Sequence, residues 1–303
     1  MTVQEIREKA VESLRNSQLR DFPEQIRTAA LDTDILISQI LQKDRTWILF
    51  HRTTPVSKDD EEKIFSAIEK RKSGLPIAYI TGHKEFFALD FLVTPKVLIP
   101  KPDTELLVEQ VLSEIERRNS PVSLCDMCAG SGCVGISVLK NAGSSVSSAV
   151  FADISVDALE ICRKNAARIL GNERKKPEIS FVPTNLFSDV VAGFDVIATN
   201  PPYVPSSVAR ALLEDGRSEP ILALDGDVDE NGESSWTDDG LSLISRLVPE
   251  SYGHLFHGGA LLMETGEYNA QETAALFEKA GFSCVRIEND MNGMMRNVIG
   301  FKK

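Results

Sequence analysis

Leu124-Cys125-Asp126-Met127-Cys128-Ala129-Gly130-Ser131-Gly132-Cys133-Val134-Gly135 is the stretch from which the architecture can be read. An apolar strand over 122–126 runs into a glycine-rich turn, and the turn opens a helix. Gly130, Gly132 and Gly135 form G-x-G-x-x-G, whose glycines let the backbone turn sharply and approach a ligand closely. Asp153, about 20 residues on at the end of the next strand, is placed to take both hydroxyls of a ribose. The pattern predicts an adenosine cofactor on a Rossmann-like sheet. It fits a dinucleotide dehydrogenase almost as well as any other user of such a cofactor. Bland readings also stand: Asp126 as an Asx-type turn and Asp153 as a helix N-cap.

Strand and helix alternate outward from this turn. Strands are expected at 122–126, 148–153, 178–182, 194–199 and 259–264, with a closing pair near 283–288 and 297–301 that forms an antiparallel hairpin at the sheet edge. This is a doubly wound α/β domain. Residues 1–82 are expected to be helical. Ile6, Ala10, Val11 and Leu14 share one helix face, Asp21-Phe22-Pro23-Glu24 caps a second helix, and further helices lie near 46–51 and 59–72. Glu85 to Val93 reads as a β-hairpin reversing at Ala88-Leu89-Asp90, within a linker over 83–100. The larger domain occupies 101–303. Residues 227–239, acidic and polar, are expected to be a mobile loop.

The chain has 303 residues and a formal net charge of −12. An acidic surface disfavours phosphate backbones, so no direct nucleic-acid substrate is expected. No apolar run is long enough for a membrane span, and the first residues lack a signal peptide's apolar core, which points to a cytoplasmic protein. The five cysteines, odd in number, argue against a disulfide framework. Cys125, Cys128 and Cys133 read as small buried hydrophobes rather than a metal site, and no metal is expected. His254 and His257 read as surface residues.

Asn200-Pro201-Pro202-Tyr203 follows the strand Phe194 to Thr199, at the end where ligands bind in open α/β sheets. Asn200 and the Pro201 carbonyl supply acceptors, the prolines fix the turn, and Tyr203 offers a flat ring. Together they can hold a planar –NH2 group. The tetrapeptide resembles the signature of S-adenosylmethionine-dependent methyltransferases acting on amino groups, and it favours that class over a dehydrogenase.

Almost end to end, the chain resembles the HemK/PrmC family of release factor N5-glutamine methyltransferases. The resemblance rests on Asp34 to Ile37, Asp44 to Leu49, Pro76 to Gly82, Val97 to Glu105 and Asp153 to Leu159. It extends to Glu219-Pro220, Ala223 to Gly226, Glu264-Thr265-Gly266, and Asp290 to Gly293 with Arg296. It implies a seven-stranded, Rossmann-like S-adenosylmethionine-dependent methyltransferase domain, preceded by a helical substrate-recognition bundle and a hairpin linker. The implied reaction is N5-methylation of the glutamine in the Gly-Gly-Gln motif of class-1 peptide chain release factors, with S-adenosylhomocysteine as product. The implied catalytic residues are Asn200, Pro201 and Tyr203, with Pro202 and Glu105 also at the substrate. The implied cofactor residues are Asp126, Cys128, Ala129, Gly130, Gly132, Asp153, Ile154, Asn185, Leu186 and Asn200. Cys128 stands where the family usually has glycine, Asn185 replaces a frequent aspartate, and the acidic loop is longer. A ribosomal-protein glutamine N5-methyltransferase and an adenine-N6 nucleic-acid methyltransferase are the alternatives. A non-enzymatic docking module is disfavoured by the intact Asn200 and Tyr203.

Overall fold

The computed structural model describes residues 1–16, 28–171, 177–214, 216, 218–229, 233, 235 and 237–303. The expected cap at Asp21 to Glu24 lies outside these. The chain divides into one compact unit, Met1–Gly82 with Ala211–Ser218, and a larger unit, His83–Arg210 with Glu219–Lys303.

The smaller unit contains α1 (Val3–Arg15), α2 (Ala29–Leu41), α3 (Arg45–Phe50), α4 (Lys58–Lys72) and α5 (Ile77–Thr81). Thr2 and Glu5 form a reciprocal capping box that starts α1 by satisfying otherwise unpaired N–H groups. Ile6, Ala10 and Leu14 of α1 meet Leu36 and Ile37 of α2 and Ile64 and Ile68 of α4 in one core. Ion pairs tie the same helices: Arg7 to Asp34 at 2.5 Å and Arg71 to Asp32 at 2.8 Å, with both carboxylates buried. The short α5, not expected from the sequence, follows Pro76, which cannot donate a hydrogen bond and suits a helix start.

The larger unit opens with the hairpin β1 (His83–Phe86) and β2 (Leu89–Leu92). Its turn falls at Phe87 and Ala88, one residue earlier than expected, with φ of +50° and +56°. No Asn-Gly or Asp-Gly marks it, so propensity gives no warning. Glu105 instead holds it from a distance, accepting the Phe87 N–H at 2.8 Å.

After α6 (Glu105–Glu116) the chain forms β3 (Val122–Met127), α7 (Cys133–Ala142), β4 (Val146–Asp153), α8 (Val156–Leu170), β5 (Glu178–Pro183), β6 (Phe194–Thr199) and α9 (Ser206–Leu213). It ends with α10 (Ser242–His254), β7 (Leu255–Glu264), α11 (Ala270–Ala280), β8 (Ser283–Asn289) and β9 (Met295–Phe301). The seven-stranded sheet has the order β5-β4-β3-β6-β7-β9-β8. β9 is antiparallel to its neighbours, and the other pairs are parallel. The last strand thus slots between β7 and β8, placing β8 at the edge. Alternate residues serve opposite faces. Leu124, Val196, Ala198 and Leu262 pack with α6, α7 and α8, whereas Cys125, Ile197, Leu261 and Met263 pack with α10 and α11. Burial on both faces explains why β3, β6 and β7 read as continuous apolar runs.

The order reverses between β3 and β6, so their C-terminal ends flank a switch-point crevice. Met127 pairs with Thr199 there, bringing the glycine turn beside Asn200. The stretch 227–239 is anchored at its described ends. Asp227 is fully buried and accepts the Gly240 N–H at 2.9 and 3.0 Å, which pins both ends. Residues 230–232, 234 and 236 lie outside the described set. Among the described residues, no helix is long and apolar enough to cross a membrane.

Candidate active site

A cavity with about 1240 Å³ of atom-free space, open mouth included, lies over the ends of β3, β4 and β6. Asp126, Cys128, Ala129, Gly130, Asp153, Ile154, Asn185, Leu186, Asn200 and Pro202 line it. Gly132, Pro201, Tyr203 and Glu105 do not line it, and Glu105 is engaged with the hairpin turn.

The three motif glycines serve different ends. A Cβ on Gly135 would stand 2.5 Å from Phe151 Cε1 and 2.8 Å from Asp126 Oδ2. A Cβ on Gly132 would meet Cys162 Sγ at 2.5 Å. Protein packing therefore dictates both. Gly130, with φ +54°, has nothing within 4 Å of its Cβ position and faces the open cavity. That is the position where a ligand can approach the backbone. Cys128 also has a left-handed φ, +59°. The conformation is one that glycine adopts without the cost of roughly 1–2 kcal/mol borne by other residues.

Asp126 is buried, and its Oδ2 accepts the Gly135 N–H at 2.8 Å, tying the strand end to the first turn of α7. Burial pushes its pKa up to about 8, against the Gly135 bond that lowers it. Asp153 does not cap α8. Ser155 does, accepting the Ala158 N–H, while Asp153 accepts Ser155 N–H at Oδ1 and Gly130 N–H at Oδ2, each at 2.8 Å. Burial raises the Asp153 pKa and these two bonds oppose it. Each oxygen keeps a lone pair for a further donor. Beside it Ile154, 52% exposed, offers an apolar wall. Asn185 Oδ1 accepts from Arg246 Nη2 at 3.3 Å.

At the end of β6, Asn200 Nδ2 donates to Thr104 Oγ1 at 3.1 Å. Neither Asn200 Oδ1 nor the Pro201 carbonyl accepts a hydrogen bond from any described residue. The Tyr203 hydroxyl donates to Glu264 Oε1 at 3.1 Å, and burial raises the phenol's pKa. The Tyr203 carbonyl accepts from Tyr268 Oη at 3.2 Å and Asn269 Nδ2 at 3.1 Å. A Cβ on Gly240 would sit 2.0 Å from that carbonyl oxygen, and one on Gly226 2.8 Å from the Tyr203 Cα. These packed glycines explain Leu224-Asp225-Gly226 as a backing for the turn. Thr104, Arg246, Glu264, Tyr268 and Asn269 were not singled out as site residues. Thr104 and Glu264 lie inside segments that carry the family resemblance, whereas Arg246, Tyr268 and Asn269 carry no local signal.

A seven-stranded doubly wound sheet, a glycine turn at β3 and an acceptor-bearing Asn-Pro-Pro-Tyr turn at the neighbouring β6 define a methyltransferase of the Rossmann-like class. The fold agrees with a solved T. thermophilus 16S rRNA N2 G1207 methyltransferase in complex with AdoMet and guanosine. That comparison has a TM-score of 0.51 at 13% identity and covers 73% of this chain and 50% of that one. The PrmC N-terminal domain matches residues 9–82, and the methyltransferase small domain matches residues 101–218. A release factor glutamine methyltransferase of Clostridium acetobutylicum is 35% identical over 89% of this chain and 90% of its own length. Those of Leptospira interrogans and Koribacter versatilis are 34% and 33% identical over 91% and 96% of this chain, and 92% and 96% of their own lengths. The chain belongs to the release factor glutamine methyltransferase family.

Proposed function

We propose that the cavity binds S-adenosylmethionine and that the Asn200 turn presents the Gly-Gly-Gln glutamine of class-1 release factors for N5-methylation. The observation that carries this is the pair of uncommitted acceptors, Asn200 Oδ1 and the Pro201 carbonyl, one strand away from the glycine turn. The cavity suits the cofactor. Gly130 leaves room at the backbone, Asp153 retains acceptor capacity for ribose hydroxyls, and Ile154 gives the adenine an apolar wall. Cys128, Ala129, Leu186 and Asn185 complete the surround, Gly132 supports the turn from behind, and Asp126 braces α7.

When bound, S-adenosylmethionine supplies a methyl group already activated by its sulfonium. The chain's task is to orient a poor nucleophile. Asn200 and Pro201 accept the two amide N–H bonds, weakening the delocalisation of the nitrogen lone pair. Tyr203 packs on the amide plane, and Pro202 holds the turn rigid. Alignment of this kind is worth up to about 7–11 kcal/mol of barrier. The nitrogen's proton leaves after transfer, so no strong base is required. The helical unit supplies partner recognition in this reading, supported by Phe50, which is 81% exposed. A release-factor substrate places the reaction in the cytoplasm.

The test is incubation with methyl-labelled S-adenosylmethionine and a class-1 release factor, with the label mapped by mass spectrometry. Label on the Gly-Gly-Gln glutamine is expected. Label only on ribosomal protein or nucleic acid moves the substrate to those classes.

A further inference from the structure

Behind the Asn200 turn lies a carboxylate to which the proposed mechanism gives no role. Glu264 ends β7 and is 1% exposed. Its Oε1 accepts the Tyr203 hydroxyl, and its Oε2 is buried with no hydrogen-bond partner among the described residues. The Thr104 hydroxyl, equally buried, lies close enough to the carboxylate to stabilise its charged form. The same hydroxyl oxygen accepts Asn200 Nδ2 at 3.1 Å. Glu264 is thus bonded to Tyr203 directly and lies beside Thr104, the residue that accepts the Asn200 amide.

The link has a direction. An ionised carboxylate can only accept hydrogen bonds. Thr104 has one proton, and giving it to Glu264 leaves its oxygen as the acceptor for Asn200. The Asn200 amide must then place Nδ2 toward Thr104 and keep Oδ1 for the ligand. A protonated Glu264 can donate instead. The Thr104 proton is then free to turn to an Asn200 oxygen, and the flipped amide offers Nδ2 to the cavity. A donor facing the N–H bonds of a substrate amide is the wrong partner.

We propose that Glu264 is a positioning residue that, through Thr104, fixes which atom of the Asn200 amide meets the substrate, while holding the Tyr203 ring in place. The proposal rests on the methyl-transfer reading above. Burial pushes the Glu264 pKa up to about 7, with Thr104 and Tyr203 lowering it, Asp103 raising it and Arg296 lowering it. Cys133 also feels its charge. Arg296 is shared between Asp103 at 3.2 Å and Asp290 at 3.1 Å, so its charge is not devoted to Glu264. The productive orientation therefore fills as pH rises through about 7.

The experiment uses the full chain, an intact class-1 release factor and methyl-labelled S-adenosylmethionine, with kcat and KM measured from pH 6 to pH 9. For the wild type, kcat is expected to rise through neutrality. Glu264→Gln is expected to lower kcat about tenfold or more and to abolish that rise. Its dissociation constant for S-adenosylmethionine and its KM for the release factor should stay within about twofold, because neither depends on a transition-state contact. Thr104→Val should reproduce the kcat loss and the flat profile. The double variant should lose no more than either single one, since both break one relay. Should Glu264→Gln fail to fold, Thr104→Val carries the test alone. An unchanged kcat and pH profile, multiplicative losses in the double variant, or a parallel loss of cofactor binding would overturn the proposal and leave the methyl-transfer reading standing. Absence of transfer by the wild type overturns both.

Discussion

The two turns at the switch point are built in opposite ways. The glycine turn after β3 is held by its own neighbourhood. Gly130 and Gly135 donate backbone N–H groups to Asp153 and Asp126 at the adjacent strand ends, and Gly132 and Gly135 are small because core side chains press on them. The proline turn after β6 is held by residues scattered through the chain. Thr104 takes the Asn200 amide, Glu264 takes the Tyr203 hydroxyl, and Tyr268 and Asn269 take the Tyr203 carbonyl. A cofactor common to many substrates can be served by a local backbone shape. A specific amide needs a side chain whose orientation is enforced, and enforcement requires partners from elsewhere in the fold.

The largest effect should come from the proline turn. Asn200→Ala is expected to lower kcat roughly 10²–10³-fold, the scale for removing one preorganised hydrogen-bonding group that acts in the transition state. Cofactor affinity should fall by far less, because Asn200 is only one of the residues lining that cavity. Label-transfer kinetics alongside calorimetric titration separate the two, and an equal loss of both would erase the division between the turns.

Asp153→Ala attacks the other turn. It removes the acceptor of Gly130 and Ser155 as well as the proposed ribose partner. Cofactor affinity is expected to fall about tenfold to a hundredfold, the scale of losing charge-assisted hydrogen bonds. A titration showing wild-type affinity would remove Asp153 from the cofactor's surroundings.

Gly135→Ala should act on stability, because its Cβ would press on Phe151 and on Asp126. Overpacking of this kind costs about 1–3 kcal/mol, readable as a lower urea midpoint. No change in midpoint would mean that the turn is looser than its packing implies.

A separate effect is one of pH, and its test is a sign. Asp126 has its folded pKa raised from 3.8 to about 8. Such a group favours the folded state at low pH, and its contribution is lost as pH rises toward the folded value. The stability of Asp126→Asn relative to wild type should therefore increase between about pH 4 and pH 8 and level off above. Urea unfolding across that range checks the sign. A gap that shrinks with rising pH would show that Asp126 is ionised in the fold.

Much of the fold was legible because buried parallel strands and amphipathic helices leave periodic traces. Phe194 to Thr199 reads as a central strand since both its faces are covered. The Phe87-Ala88 turn was misplaced by one residue because its stabiliser, Glu105, lies 18 positions away and leaves no local mark. Asp153 was open to a capping role because a carboxylate before a helix often caps it. Ser155, two residues later, takes that position, freeing Asp153 to bind Gly130.

The sequence by itself determined the strand–turn–helix unit, the Asn200 tetrapeptide and the family, since each is written in residue types at short spacing. Only the tertiary structure decided which glycine faces the open cavity, which groups Asp126 and Asp153 hold, and that Glu264 stands behind Tyr203. Those outcomes depend on the sheet order, which sets β3 beside β6 and β6 beside β7. Hydrogen bonds and steric contacts act over a few ångströms of space, and neighbours at that range can be 61 to 160 positions apart, as Tyr203 with Glu264 and Thr104 with Glu264 are.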